Sequence, residues 1–187
     1  MKTASWAASL NRQTAAMPMV LALLLTLAPP PGRGATVVAI SDGDTLRLRQ
    51  RRDGALITVR LACIDAPERR QIPQGAEARR RLQALLPLGS LVQLRVQATD
   101  RYGRSVAELS RGGTNVNQAL VASGAAFVYW RYIRGCDRQT YGRLETEARL
   151  RRLGVWAVAG GITRPWEWRA ARRQLQSSAQ IPRSNAS

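Results

Sequence analysis

Between Thr36 and Leu109 the chain holds five strand-like runs of nine residues or fewer, bounded by turn-forming residues; the first is a buried-type apolar run, and the second, third and fourth place apolar residues at every second position. Period-two alternation places one face of each segment in a core and the other in water, the signature of short antiparallel strands. The runs are Thr36–Ile40, Thr45–Arg49, Leu56–Ile64, Leu91–Ala98 and Ser105–Leu109. Their inward residues are Leu46 and Leu48, then Ile57, Val59, Leu61 and Cys63, then Val92, Leu94 and Val96. Helical spacing appears over Gln74–Leu86, with Ala78, Leu82 and Leu85 as the apolar stripe, and over Gln139–Leu153. Asn115 is placed to cap a short helix ending near Gly124. Five short strands with about three interleaved helices predict an α+β, mainly β domain: a closed five-stranded barrel of the OB type.

Two segments flank this pattern. Residues 1–35 read as a signal peptide or N-terminal anchor, with Lys2 and Arg12 before the apolar run Met17–Ala28 and small residues and prolines after it. Twelve residues are too few to span a bilayer comfortably and suit a signal-peptide core. Cleavage after Ala28 or near Ala35 would release a secreted or periplasmic protein; an uncleaved segment would anchor it to a membrane. The barrel domain is expected over 36–158 and a basic tail over 159–187. In that tail, Pro165–Gln176 is a candidate helix carrying Trp166 and Trp168, and Ser177–Ser187 is expected to be disordered.

The 187 residues hold 29 Lys+Arg against 12 Asp+Glu, a formal net charge of +17. Lys2, Arg12 and Arg33 supply three of these charges, so +14 remains with the rest of the chain. Such a surface attracts polyanions, and arginine's planar fork suits phosphate. Anionic lipid or cell wall, or arginine scattered for solubility, would account for the charge equally well. Histidine is absent, which excludes hydrolases and nucleases that depend on imidazole as base or ligand. Two cysteines, Cys63 and Cys136, cannot build a zinc finger. They could pair in an exported protein, but nothing in the sequence sets their distance.

Four of the acids fall in two turn motifs. Asp42-Gly43-Asp44-Thr45 follows the first strand and Asp65-Ala66-Pro67-Glu68 the third. Each alone reads as an ordinary turn. At one rim of a barrel, however, Asp44, Asp65 and Glu68 would repel one another unless a cation lay among them, and a hard divalent ion suits oxygen ligands. Arg60 lies five residues before Asp65, and Arg104 ends the turn Asp100-Arg101-Tyr102-Gly103-Arg104. Carboxylates around a metal, one spare carboxylate and two guanidiniums suit phosphodiester hydrolysis.

These motifs resemble the staphylococcal (thermo)nuclease family, the SNase-like domain. The matching stretches are VVAISDGDTLRL, ITVRLACIDAPE, GAEARRRLQALL, DRYGRSVAEL, NVNQALVASGAAFVYWRY and LETEARLRRLGVWA, from about Val37 to Ala157. The resemblance implies a calcium-dependent nuclease acting on DNA and RNA that cuts the 5′-oxygen–phosphorus bond and leaves 3′-phosphates. It implies that Asp44 and Asp65 bind the ion with the Ala66 backbone carbonyl, and that Arg60, Glu68 and Arg104 are catalytic, Glu68 handling the attacking water. Asp42 corresponds to an acid that need not touch the ion. Arg101, Tyr102, Trp130 and Tyr132 correspond to substrate-contacting positions, although Tyr102 could equally pack a turn and the other two could belong to the core. Oxygen ligands alone would also accept magnesium or manganese. DNA or RNA is the expected partner, with no obligate protein partner. The alternative is a catalytically silent nucleic-acid-binding module on the same fold; such modules typically lack the catalytic residues that are all present here.

Overall fold

A computed structural model describes residues 33–179, so most of the expected signal segment and the last eight residues lie outside the described chain. Strands β1 (Arg33–Ile40), β2 (Thr45–Gln50) and β3 (Leu56–Leu61) form an antiparallel meander. After a two-residue strand β4 (Ile64–Asp65) come helix α1 (Gln74–Leu85) and the antiparallel pair β5 (Leu91–Thr99) and β6 (Ser105–Arg111). β1 pairs with β5, and β3 pairs in parallel with β6, closing five strands into a barrel. One-residue register shifts between Val37 and Ala39 and between Val96 and Ala98 bend the two long strands around the ring. This is the expected mainly β barrel.

Leu46, Leu48, Val59, Leu61, Val92, Leu94, Ala107 and Leu109 fill the barrel. Val96, expected inside, is exposed, because it sits at the second register shift. Beyond β6 lie β7 (Thr114–Asn115), α2 (Val116–Ala122), β8 (Phe127–Val128), a 3-10 turn at Trp130–Tyr132, and α3 (Arg138–Leu150). Asn115 caps α2 by accepting from the Gln118 amide at 3.1 Å. The buried amide of Asn117 donates to the carbonyls of Ala62 (2.9 Å) and Ala107 (3.2 Å) and accepts from the Leu109 amide (3.1 Å). One side chain thus pins the β3–β4 turn against β6.

Three expectations need correction. The third strand does not run to Ile64: it ends at Leu61, and Cys63 takes a left-handed conformation (φ 65°) that turns the chain into β4. The barrel begins at Arg33 rather than Thr36, with Ala35 fully buried opposite Val92. The candidate helix of the tail is present as α4 (Pro165–Ala179), and it runs three residues into the segment read as disordered. The pairing that the sequence leaves open is made: Cys63 is bonded to Cys136, 73 residues away.

Closing a loop of that length is worth about 4 kcal/mol when counted as entropy removed from the unfolded chain. The double variant Cys63→Ser/Cys136→Ser is therefore expected to melt about 10 °C lower than the oxidised protein. Calorimetry of the variant, and of wild type with and without reductant, checks this; equal melting temperatures would show that the bridge adds nothing.

Candidate active site

The turn after β1 is built around a missing side chain. A Cβ on Gly43 would lie 2.7 Å from the Cβ atoms of both Ala66 and Ala78, so only glycine lets the turn pack against β4 and α1. The Asp42 side chain accepts from the Asp44 amide at 3.1 Å, and the Leu61 amide donates to the Asp44 carbonyl at 2.8 Å. Asp44 Oδ2 in turn accepts from the Ala66 amide at 2.8 Å. The two acidic turns, 21 residues apart by their metal-candidate aspartates, are thereby locked side by side.

Between them lies Arg60, whose Nη1 faces Asp44 Oδ2 and whose Nη2 reaches Asp65 Oδ1 at 2.6 Å. Asp65 is fully buried and Asp44 nearly so. Burial raises the Asp65 pKa, opposed by Arg60 and by hydrogen bonds from Arg169. Burial pulls the Arg60 guanidinium down, but Asp44 and Asp65 overcome this and hold it above its ordinary value. Glu68 stands half-buried at the rim. Its amide donates to Gln71 Oε1 at 2.9 Å, and its carbonyl is packed so closely that a Cβ on Gly75 would come within 2.1 Å.

Arg104 enters by a different route. The parallel ladder sets Arg60 opposite Val106, and Arg104, two residues earlier, belongs to the same face. Its Nε donates to Asp100 Oδ2 at 2.7 Å and its amide to Asp100 Oδ1 at 3.0 Å. Asp100 therefore holds the guanidinium by one edge and leaves both Nη groups available.

The aromatic candidates are at the surface. Tyr102 is 67% exposed, with the Arg101 and Arg104 guanidiniums over its ring at 4.8 and 5.4 Å. Trp130 and Tyr132 are 41% and 56% exposed, which removes the core reading; Trp130 Nε1 donates to Glu145 Oε2 at 2.9 Å.

An arginine of the supposed tail completes the cluster. Arg169, on α4, donates through Nη1 to Glu68 Oε1 (2.6 Å) and Asp65 Oδ1 (3.2 Å), and through Nη2 to Asp65 Oδ2 (2.7 Å). Among 29 basic residues nothing in the sequence singles it out; the nearby tryptophans Trp166 and Trp168 were the available sign of a packed segment.

Among the described residues no three acidic side chains converge as a ready-made metal cage. The donor set nevertheless fits a hard divalent ion. Asp42, Asp44, Asp65 and Glu68 bring four carboxylates, against which Arg60 and Arg169 set two guanidiniums. Two negative charges remain, the charge of one divalent cation. Burial, and then the adjacent Asp44 carboxylate, push Asp42 up from 3.8 to about 6. Its pKa in the fold thus exceeds that in the unfolded chain, so in ion-free protein its contribution to stability is full below about pH 4 and is lost as the pH rises through 6. Asp42→Asn keeps the acceptor for the Asp44 amide but cannot ionise. In EDTA, urea unfolding should show wild type losing on the order of 2 kcal/mol more than this variant between pH 4 and pH 7; parallel pH curves would contradict it.

The family model described as "Staphylococcal nuclease homologue" matches residues 58–158. This chain belongs to the staphylococcal nuclease homologue family. It is 42% identical over 144 residues to a micrococcal nuclease of Shigella flexneri, a match covering 72% of this chain and 79% of the relative. It is 36% identical over 134 residues to an uncharacterized endonuclease of Escherichia coli O157:H7, covering 71% and 82%. A staphylococcal-like nuclease of Arabidopsis thaliana is 35% identical over 115 residues, covering 62% of this chain and 34% of that protein. The staphylococcal nuclease homologue match ends before α4, so Arg169 lies outside the matched segment.

Proposed function

We infer that this protein is a divalent-cation-dependent nuclease that hydrolyses phosphodiester bonds of DNA or RNA. The observation that carries this reading is the buried Asp44–Arg60–Asp65 cluster with Glu68 at its rim, an acidic site inside a strongly basic protein. Basic surface attracts the polyanion; an acidic centre within it would repel the phosphate unless a cation reversed its sign. Asp44 and Asp65, with the Ala66 carbonyl, would hold the ion, calcium by family resemblance. When bound, such an ion polarises a phosphoryl oxygen and makes a nucleophile of water.

The chain's own groups supply the rest. Glu68 takes or directs the proton of the attacking water, since a carboxylate cannot attract the phosphate itself. Arg104, steadied by Asp100, offers two Nη donors to oxygens that gain charge as the phosphorus becomes five-coordinate. Arg60, paired with both aspartates, holds their carboxylates side by side and completes the positive surround of the phosphate. Water adds to phosphorus, and the 5′-oxygen departs with a proton, leaving a 3′-phosphate. Arg101, Tyr102, Trp130 and Tyr132 supply exposed contacts for the neighbouring nucleotides.

Export is part of the same reading. The residues 1–28 have the layout of a signal segment, and the Cys63–Cys136 bridge suits an oxidising compartment. Cleavage after Ala28 would leave β1 intact, whereas cleavage at Ala35 would remove its pairs with Val92, Gln93 and Leu94. N-terminal sequencing of protein recovered outside the cytoplasm tests this, and an intact Met1 on a cytoplasmic product contradicts it. Plasmid nicking with calcium and with EDTA tests the activity: cutting is expected only with the ion. Undiminished cutting in EDTA would refute metal dependence, and binding without cutting under all ions would favour the silent module.

A further inference from the structure

Arg169 reaches the centre of the site from more than a hundred residues away in sequence, and the approach is built rather than incidental. Trp166 stacks flat on Tyr129, with centroids 4.9 Å apart and planes 3° from parallel, and meets Phe127 edge-on. Arg164 lies over the rings of Phe127 and Trp156 at 4.2 and 4.7 Å. Gln71, buried, accepts from the Glu68 amide and donates to the Thr163 carbonyl at 2.9 Å, joining the base of Glu68 to the approach of α4. The helix is thus anchored along one turn on β8 and the loop after β4, and Arg169 projects from that anchored turn.

The fork of Arg169 takes both oxygens of Asp65 and one of Glu68. A divalent ion held by Asp44 and Asp65 needs an Asp65 oxygen and brings two positive charges beside a fixed one. Arg60 already holds Asp65 Oδ1 at 2.6 Å, so the ion and Arg169, whose Nη2 holds Oδ2 at 2.7 Å, compete for that second oxygen. Once an ion takes that carboxylate, the guanidinium is left at the mouth of the site with its Asp65 bonds broken. The anion that then arrives at the same place is the phosphodiester, whose paired oxygens match the planar fork as a carboxylate does.

We propose that Arg169 is a third phosphate-binding arginine of this active site, resting on Asp65 and Glu68 in the ion-free protein and passing to the phosphodiester when a divalent ion takes Asp65. The proposal rests on the metal-dependent reading above. It makes α4 part of the catalytic unit, and it gives the ion a second task, the release of a substrate-binding residue.

The test uses the full chain as wild type, Arg169→Ala and Arg169→Lys. Calcium affinity is measured by calorimetry without nucleic acid, and affinity for a phosphorothioate-linked, cleavage-resistant oligonucleotide is measured with calcium and with EDTA. Near-ultraviolet circular dichroism verifies that each variant is folded. Arg169→Ala removes the competitor and is expected to bind calcium about tenfold more tightly than wild type. The gain in oligonucleotide affinity on adding calcium should be about tenfold smaller in Arg169→Ala than in wild type. Arg169→Lys retains a charge that competes for Asp65, so its calcium affinity should stay near wild type, but without the fork it should lose most of the calcium-dependent gain in oligonucleotide affinity. Unchanged or weaker calcium binding by Arg169→Ala, or equal calcium-dependent gains in all three proteins, overturns the proposal while leaving metal dependence standing. A wild type that binds no divalent ion and cuts in EDTA overturns both.

Discussion

Arg104→Lys is expected to lower kcat by ~10²–10⁴-fold while changing equilibrium affinity for DNA only a few-fold. The reason is geometric. Arg104 uses Nε on Asp100 and keeps two further donors for a phosphate. A lysine ammonium can pair with Asp100 or reach the phosphate, but it cannot hold a fork in place by one edge and present the other. A phosphodiester carries one negative charge at rest and about two at the five-coordinate stage, so fixed donors gain most in the transition state. Glu68→Gln should show the same pattern for a different reason, because it keeps the size of the side chain but loses the group that handles the proton. Single-turnover cleavage beside a binding curve separates the chemical step from affinity. If both variants cut at near wild-type rates, the assignment of Arg104 and Glu68 fails, whatever the family match.

Asp65→Ala should have two large effects at once. Ion-dependent cutting is expected to disappear, and the fold is expected to lose about 3–5 kcal/mol, the usual cost of stripping one partner from a buried ion pair. From sequence alone such a variant is expected to leave the fold largely intact, because an aspartate in a turn costs little to remove. In the structure Asp65 is fully buried and serves both Arg60 and Arg169, so its loss leaves Arg60 enclosed with Asp44 alone. Calcium should raise the melting temperature of wild type, since a ligand of the native state stabilises it by mass action, and should leave that of Asp65→Ala unchanged. A variant that melts like wild type and responds to calcium in the same way would remove Asp65 from both roles.

The difference between these two expectations for Asp65 shows where the sequence is readable. Alternation is a local property, so the faces of β2 and β5 could be read from Leu46, Leu48, Val92 and Leu94, which are all buried. The Asp-Gly-Asp and Asp-Ala-Pro-Glu turns carry their chemistry in adjacent residues, so the candidates Asp44, Asp65 and Glu68 were legible, as was Arg60 on the strand leading into them. Pairing across long separations was not. Nothing in Cys63 announces its left-handed turn or its bond to Cys136. Nothing in Arg169 distinguishes it from the other arginines of α4, since its meaning comes from the stacking of Trp166 on Tyr129 nearly forty residues earlier. Asn117 looks like an ordinary polar residue of a short helix until its three hydrogen bonds are seen.

The parallel seam between β3 and β6 joins Val59–Leu61 to Ser105–Ala107, so the ring shuts only after α1 and β5 have been laid down between them. Contacts between such distant residues require the intervening loop to be ordered first, and chains rich in them fold slowly. The meander of β1, β2 and β3 can form early, but it is an open sheet with β3 as a free edge until β6 arrives. The last strand of the seam lies just past the middle of the chain, so the barrel cannot lock before more than half of the polypeptide exists. The same delay exposes the β3 edge to pairing with other chains, so refolding yield from denaturant should fall as protein concentration rises.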